Sequence, residues 1–414
     1  MFKAAFFETD ITPKLYECMP GQFEYRVATT IHQPLRAHAF AMESDGIQCV
    51  IISLDCICIE KRDVEAIRRR IFDATGVTNV SVSAIHNHTG GPVATLYTSP
   101  RSDEYCEFLA AKAGDAGIMA IQKLEPAKLG WAVKDVEGLS FNRRFLFKDG
   151  HVEMNPGINN PNVVRGVDVI DPQVITVRVD RENGEPAGVI ASFAVHLDSV
   201  RVNGPKGFSP DYPGILREDL RKVYGQSLGF VWLTGCCGNI NHVDTTGKIK
   251  LWHEPIGHAL AGHIQEMFDS IETKADLPIA AAKRVVTATI ERPTPEMVAK
   301  APNAARHKEM AEAMELPGGT VDCDVICFSV GDLAFAFMPG EVFCRFGLDV
   351  KARSPFACTL TAELSNASNG YVKTREAAEQ GGYEATPSTY NILDRNAGYL
   401  MADAAVENLL EMKK

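Results

Sequence analysis

Residues 48–86 read QCVIISLDCICIEKRDVEAIRRRIFDATGVTNVSVSAIH. The first part, 48–56, is a near-continuous apolar run of strand length, the pattern of a strand buried on both faces. From Lys61 to Thr75 the period changes: Val64, Ile67 and Ile71 recur at helical spacing among charged residues. Residues 80–86 return to β-branched, strand-like sequence and end on His86. Strands separated by helices predict an α/β fold. The same alternation extends outward in both directions. Residues 35–42 predict a half-buried strand, and a helix is expected from about Glu104 to Lys123. Residues 173–180 and 187–196 predict a hairpin across the turn-rich 181–184. A helix over 212–224, a buried strand over 227–235 and a long helix over 252–271 follow. Residues 325–341 predict a second hairpin turning at Gly331-Asp332, and a last helix runs from about Leu393 to Met412. The hairpins make the sheets mixed rather than purely parallel, so the class is α/β with α+β character. No fixed-period repeat is present. The most linker-like stretch, 274–278, predicts at most a junction between two tightly packed halves of one domain over 1–414.

Composition excludes several function classes. A formal net charge of -11, without basic runs, argues against nucleic acid and against anionic membrane surfaces as partners. No stretch has the length of a transmembrane helix, which argues against stable membrane insertion, and the N-terminal apolar patch is too short for a signal-peptide core. The cysteine count is odd, eleven, and Cys49, Cys56, Cys58 and Cys327 lie in apolar runs, so buried reduced thiols are expected in a cytoplasmic protein. The expected partner is a small-molecule substrate, and self-association into a homo-oligomer stays open. Two glycosylation-type triplets, at Asn87 and Asn366, carry no meaning inside a cell.

Several constellations could carry chemistry. His86 and His196 each end an apolar strand, where ligands gather in α/β sheets, and imidazole is a common zinc ligand. The bland alternative for each is a histidine bonded to a backbone carbonyl. MPGE delivers Glu341 directly after a buried strand, either as a ligand or in the first turn of a helix. His253-Glu254 imitates a zinc-protease helix, but the next histidine, His258, is five residues on rather than four, and Pro255 interrupts the turn. The pair Cys236-Cys237 in LTGCCGNINHVD has only His242 as a local base, which favours inert thiols in a tight turn. Residues 365–391 form a long, polar, glycine-rich loop carrying Tyr371, Tyr383 and Tyr390, and a loop of that length is commonly functional.

The ordered set of motifs resembles the catalytic domain of the neutral ceramidases, zinc amidases that release fatty acid from ceramide. DITP (10–13), PLRAHAF (34–40), VIISLD (50–55), SAIHNHTGGP (83–92), FNRRF (141–145), SFAVH (192–196), SPDYPG (209–214), GCCGNIN (235–241), FMPGE (337–341) and SNASNGYVKT (365–374) come in that family's order. The resemblance implies a layered sandwich of mixed sheets and helices, without the family's further C-terminal immunoglobulin-like domain. It implies one zinc ion, with manganese or iron tolerated by the same ligand types, on His86, His196, Glu341 and Tyr371. It places His88 against the reacting group, with Tyr383 and Arg143 on the substrate carbonyl and Arg144 as the neighbouring alternative. The chain departs from the family at its Gly-Asp-x-Ser-Pro element, where Gly238-Asn239-Ile240-Asn241-His242 stands. Asn241 occupies the serine position and Asn239 the aspartate position, and both become candidate substrate-binding residues. An amide cannot replace a nucleophilic hydroxyl. The expected activity is therefore zinc-dependent hydrolysis, by metal-bound water, of an amide-type C–N bond in a small polar substrate. The alternatives are a metal-dependent lyase or isomerase on a carbohydrate-like substrate, and a non-catalytic ligand-binding descendant.

Overall fold

The computed structural model describes residues 1–201, 204, 206–301 and 304–414, and residue 305 in backbone only. One sheet has eight strands, in the spatial order Gly229–Thr234 (β8), Pro186–Phe193 (β7), Gln173–Arg181 (β6), Glu125–Asp135 (β5), Lys3–Asp10 (β1), Arg36–Ser44 (β2), Ile47–Leu54 (β3) and Asn79–Ala84 (β4). A second sheet orders Ile279–Thr289 (β9), Thr320–Val330 (β10), Leu333–Phe337 (β11) and Cys358–Ala362 (β13). Glu341–Val342 (β12) and Tyr371–Val372 (β14) make a separate parallel pair. The predicted strand–helix–strand unit is β3, the helix Lys61–Thr75 (α1) and β4, with β3 and β4 parallel from Cys49↔Asn79 to Leu54↔Ala84. Two further parallel pairs, β7 with β8 and β11 with β13, sit beside antiparallel hairpins, so both sheets are mixed as expected.

Period-two alternation assigns each strand two buried faces. On β2 and β3, Ala37, Ala39, Ala41, Val50, Ile52 and Leu54 face α1 and the helix Asp103–Gln122 (α2). Their alternates Phe40, Met42, Cys49 and Ile51 enter a central core. On β7 and β8, Val189, Ala191 and Trp232 face the helices Tyr212–Tyr224 (α3) and His253–Phe268 (α4), while Ile190, Val231 and Leu233 join the same central core. On β11, Ala334 and Ala336 face the helices Cys344–Arg353 (α5) and Ala397–Met412 (α6), and Leu333, Phe335 and Phe337 complete the core. Helices therefore cover the outside and the sheets share one interior. The two halves of the large sheet meet in only two residue pairs, Lys3↔Pro126 and Ala4↔Glu125.

Helix α1 forms where the spacing predicts. Val64, Ile67 and Ile71 are fully buried, and each contributes about 1.5–3 kcal/mol by leaving water. Gly76 ends the helix with φ 75°, a left-handed cap whose N–H donates to the Phe72 carbonyl. Four strands of the two sheets, β1, β5, β9 and β13, have no counterpart among the expected elements. β9 is IAAAKRVVTAT, with Val285 exposed, and its structure comes from pairing all eleven residues with β10. The linker-like 274–278 is tied to β5, since Lys274 and Leu129 exchange N–H···O bonds of 3.0 and 2.9 Å. Residues 365–391 hold β14 and a short helix, Arg375–Gln380. Their polar residues Lys373, Glu384 and Asn391 are buried, so the segment is not a surface loop. All eleven cysteines are buried free thiols. Among the described residues no helix is long and apolar enough to cross a membrane.

Candidate metal centre

The carboxyl ends of three parallel pairs converge. β4 ends two residues before His86, β7 three before His196 and β11 four before Glu341. β8 draws these ends together: Thr234 Oγ1 donates to the Ile85 carbonyl (2.6 Å), and the Gly235 N–H donates to that of Phe193 (3.1 Å). The chain then passes Gly238, whose N–H donates to the Val342 carbonyl (3.0 Å). A Cβ at Gly238 would lie 2.5 Å from the Glu341 carbonyl oxygen, so only glycine permits this approach. On the β12–β14 pair Glu341 and Tyr371 are register partners, and the Glu341 N–H donates to the Gly370 carbonyl (2.8 Å).

The nitrogens are arranged for a cation. His86 Nδ1 lies 2.8 Å from the Ile57 carbonyl and His88 Nδ1 2.9 Å from that of Gly21; facing carbonyls, both must donate. Each Nε2 is then a bare lone pair, and they face His196 Nε2 at 3.2 and 3.1 Å. A single N–H on His196 could satisfy only one of them. The three Nε2 atoms fall within 4.8 Å of one another. Glu341 Oε2 is 3.3 Å from His86 Nε2 and accepts no hydrogen bond, while Oε1 accepts one from the Tyr390 hydroxyl (2.9 Å). Converging buried lone pairs with too few protons between them fit a divalent cation. Imidazole and carboxylate donors suit zinc, and manganese or iron as well.

Electrostatics agree. Burial pushes the pKa of His88 and His196 well below the usual range, with His86 adding to it, so both rings are neutral. Burial opposes charge on His86 and Glu341 too, but each favours the charge of the other, so His86 is raised and Glu341 lowered. Tyr371 is pushed well above its usual value by burial and by Glu341, and only a nearby cation would favour its phenolate.

His86 and His88 do not follow strand alternation. His86 has φ 78°, a left-handed backbone rare for histidine, and the turn it makes brings both rings to the same point. Asn87 does turn away, its Nδ2 donating to the Ser209 carbonyl (2.7 Å). The geometry also leaves His88 Nε2 as near the cluster centre as the ligand candidates, so it draws no line between their roles.

Arg143 reaches the cluster and Arg144 does not. Arg143 pairs with Glu384 (2.6 Å), donates to the Gly238 carbonyl (2.8 Å), lies 3.4 Å from His196 Nδ1 and sits 5.4 Å over the Tyr371 ring. Arg144 donates to the Gly381 carbonyl (2.9 Å) and packs over Phe343, on the opposite side. Tyr383 faces the same cleft with its hydroxyl against that of Tyr97 and Arg306 over its ring. Asn241 lines the cleft with part of its amide engaged: Oδ1 accepts from the Val243 N–H (2.9 Å) and Nδ2 donates to Asn155 (2.6 Å). Asn239 is not brought to the cleft. Its Oδ1 accepts from the Cys344 N–H (2.7 Å) and satisfies the start of α5.

Buried Glu384, which holds Arg143, escaped the sequence reading, and Tyr390, singled out there only as one of three tyrosines in the polar segment, holds Glu341. Cys236 and Cys237 are inert, since burial raises both thiols and Cys237 donates to Glu363 (3.0 Å). His253 accepts from the Arg201 N–H and His258 contacts Asp219, both away from the cluster. Asn87 and Asn366 are fully buried.

The cleft has a volume of about 390 Å³ and is walled by His88, Arg143, His196, Asn241, Tyr371 and Tyr383, among others. Four larger hollows, of about 480, 500, 720 and 890 Å³, touch none of the three histidines, Glu341 or Tyr371, so the chemistry selects the smaller one.

No protein-family model matches the chain. It is 25% identical to neutral ceramidase A of Dictyostelium discoideum over 198 residues, 44% of this chain and 26% of that protein. It is 25% identical to the neutral ceramidase of Pseudomonas aeruginosa over 264 residues, 57% of this chain and 38% of that protein. The matched stretches thus span well under half the length of these relatives. Among solved structures, a ceramidase complexed with C2 superposes with a TM-score of 0.75 at 18% identity, covering 100% of this chain and 75% of that one. The P. aeruginosa neutral ceramidase crystal structure gives 0.73 at 19% identity, covering 99% of this chain and 75% of its own. In sequence over the matched stretches, and in fold over its whole length, the chain is neutral-ceramidase-like.

Proposed function

We propose that this protein is a zinc-dependent hydrolase that splits an amide-type C–N bond of a small polar substrate with water. The observation that carries the reading is the convergence of three buried Nε2 atoms, two of them on rings whose Nδ1 faces a backbone carbonyl, beside the unsatisfied Oε2 of Glu341. His86, His196, Glu341 and Tyr371 would hold the ion, which supplies Lewis acidity for the carbonyl and acidifies water. His88, with Nδ1 committed to Gly21, presents only Nε2, which accepts the proton of the attacking water and returns it to the departing amine. Arg143 and Tyr383 stabilise charge developing on the carbonyl oxygen. Water adds across the bond, giving a carboxylic acid and an amine. Water as nucleophile follows from the side chains present. Asn241 stands where the family has serine and offers no hydroxyl, and the hydroxyl of Ser199 donates to Asp211. A small, polar-walled cleft supports a small polar substrate. Eleven buried free thiols support residence in the reducing cytoplasm.

Protein purified without added metal should hold about one zinc per chain, falling to trace in His86→Ala and Glu341→Ala, with amide hydrolysis lost in parallel. Trace metal in all three, with turnover unchanged, overturns the reading.

A further inference from the structure

His242 has no part in the chemistry above. It is 8% exposed and lines the cleft with His88 and His196. Its Nδ1 is buried with no hydrogen-bond partner. The cluster rings differ: His86 and His88 are anchored on carbonyls, and His196 has Arg143 beside it. Nε2 is not buried and makes no hydrogen bond among the described residues, so it is the nitrogen whose partner the cavity can supply. The resembled family has proline at this point of its Gly-Asp-x-Ser-Pro element, with no side-chain donor or acceptor. Burial pushes its pKa to about 4, with Asp198 opposing and Arg201 adding to the shift. The ring is neutral at pH 7 and offers one donor and one acceptor.

The surrounding wall narrows the choice of partner. Asn241 spends one donor and one lone pair on Asn155 and Val243, and Ser199 spends its hydroxyl proton on Asp211. Asp198 lines the cleft, is accessible, and takes one hydrogen bond from Gln22 (2.8 Å). It keeps acceptor capacity for more. A neutral ring that both donates and accepts, next to a carboxylate that only accepts, is complementary to hydroxyl groups, each of which does both. Hydrocarbon would leave these groups buried and unpaired.

We propose that His242 is a substrate-contacting residue that bonds a hydroxyl of the substrate, with Asp198 accepting from a neighbouring hydroxyl, so that the site takes a small N-acylated amino-polyol. The scissile amide rests on the hydrolase reading; the hydroxyl contact does not. The test compares N-acetyl-1-aminohexitol with N-hexylacetamide, equal in chain length, on zinc-loaded wild type, His242→Phe and His242→Asn. Turnover and the thermal shift each amide produces are both read, with zinc content as the control for folding. Wild type should favour the hydroxylated amide by about tenfold in kcat/KM, the value of one hydrogen bond. His242→Phe should bring the ratio to within about twofold, and His242→Asn, which keeps a donor and an acceptor, should restore part of it. A ratio unchanged in His242→Phe overturns the contact and leaves the hydrolase standing. If neither amide is cleaved, the hydrolase reading falls and the thermal shifts decide: a shift by the hexitol amide, lost in His242→Phe, upholds the contact, and equal or absent shifts in wild type overturn it.

Discussion

Tyr390→Phe removes one oxygen and leaves the ring in place against Tyr371, centroids 6.5 Å apart. That oxygen donates to Glu341 Oε1 at 2.9 Å and accepts from Ser368 Oγ at 3.2 Å. A hydrogen bond to a carboxylate is worth about 1.5–3 kcal/mol, and the apo protein should lose stability of that order. The same bond exists with and without metal, so only the part that aims Oε2 at the cluster enters the binding constant. Loss of such an orienting partner weakens metal binding about 10- to 100-fold. At 1.4 kcal/mol per tenfold this is about 1.4–2.8 kcal/mol, comparable to the worth of the bond itself. Competition for zinc against a chromophoric chelator at fixed pH measures it. A lower melting temperature with zinc affinity within about twofold of wild type would refute the reasoning, because Glu341 would then be structural and not a ligand.

Three other outcomes are expected. Arg143→Lys keeps a cation beside Glu384 but loses the fork that also reaches the Gly238 carbonyl; kcat should fall about 10²- to 10³-fold with zinc content unchanged, whereas Arg144→Lys should affect stability alone. Gly370→Ala forces a Cβ to within 2.4 Å of the Asn391 Cα at φ 75°, costing more than about 1 kcal/mol and lowering zinc occupancy through the adjacent Tyr371, as thermal melts and metal analysis would show. Burial raises Asp211 to about 6, against the hydrogen bonds it accepts from Ser199 and Tyr212. The folded state then binds more protons than the unfolded chain, so this residue's contribution is full below the unfolded value and lost as pH rises through about 6. Asp211→Asn should remove that decline from a series of melting temperatures at pH 4 to 7, and an unchanged slope would count against it.

The sequence was most legible where one interaction sets the structure. Helix α1 has the bounds that its apolar stripe gives, Lys61–Thr75, because Val64, Ile67 and Ile71 decide it locally. Both hairpins turn where their turn residues stand. β9 was opaque because its alanine-rich, partly exposed pattern gains meaning only beside β10, 30 to 50 residues further along the chain. In the site, His86, His196 and Glu341 were legible as polar residues delivered by apolar strands. Their convergence was not, since it depends on β8 tying strand ends from different parts of the chain. Asn239 shows the reverse limit: its amide serves the first turn of α5, a partner 105 residues away. The left-handed His86 could not be inferred, because strand alternation gives the same convergence of rings from an extended backbone.

The narrow seam in the large sheet gives the metal centre a mechanical meaning. Within the sheet β1 and β5 join the two halves by two residue pairs, and the second sheet packs on both through the shared central core, with the Glu363 N–H just after β13 donating to the Thr234 carbonyl (3.1 Å). His86 follows a strand of one half, His196 a strand of the other and Glu341 a strand of the second sheet. An ion bound by all three is a cross-link with one foot in each sheet. It closes a loop of 110 residues between the two histidines alone, a length at which fixing the ends restricts the unfolded chain strongly. A metal held there would act as a rivet: its ligands meet only when both halves of the large sheet and the second sheet are docked, so the capacity to hold metal would report that the fold is assembled.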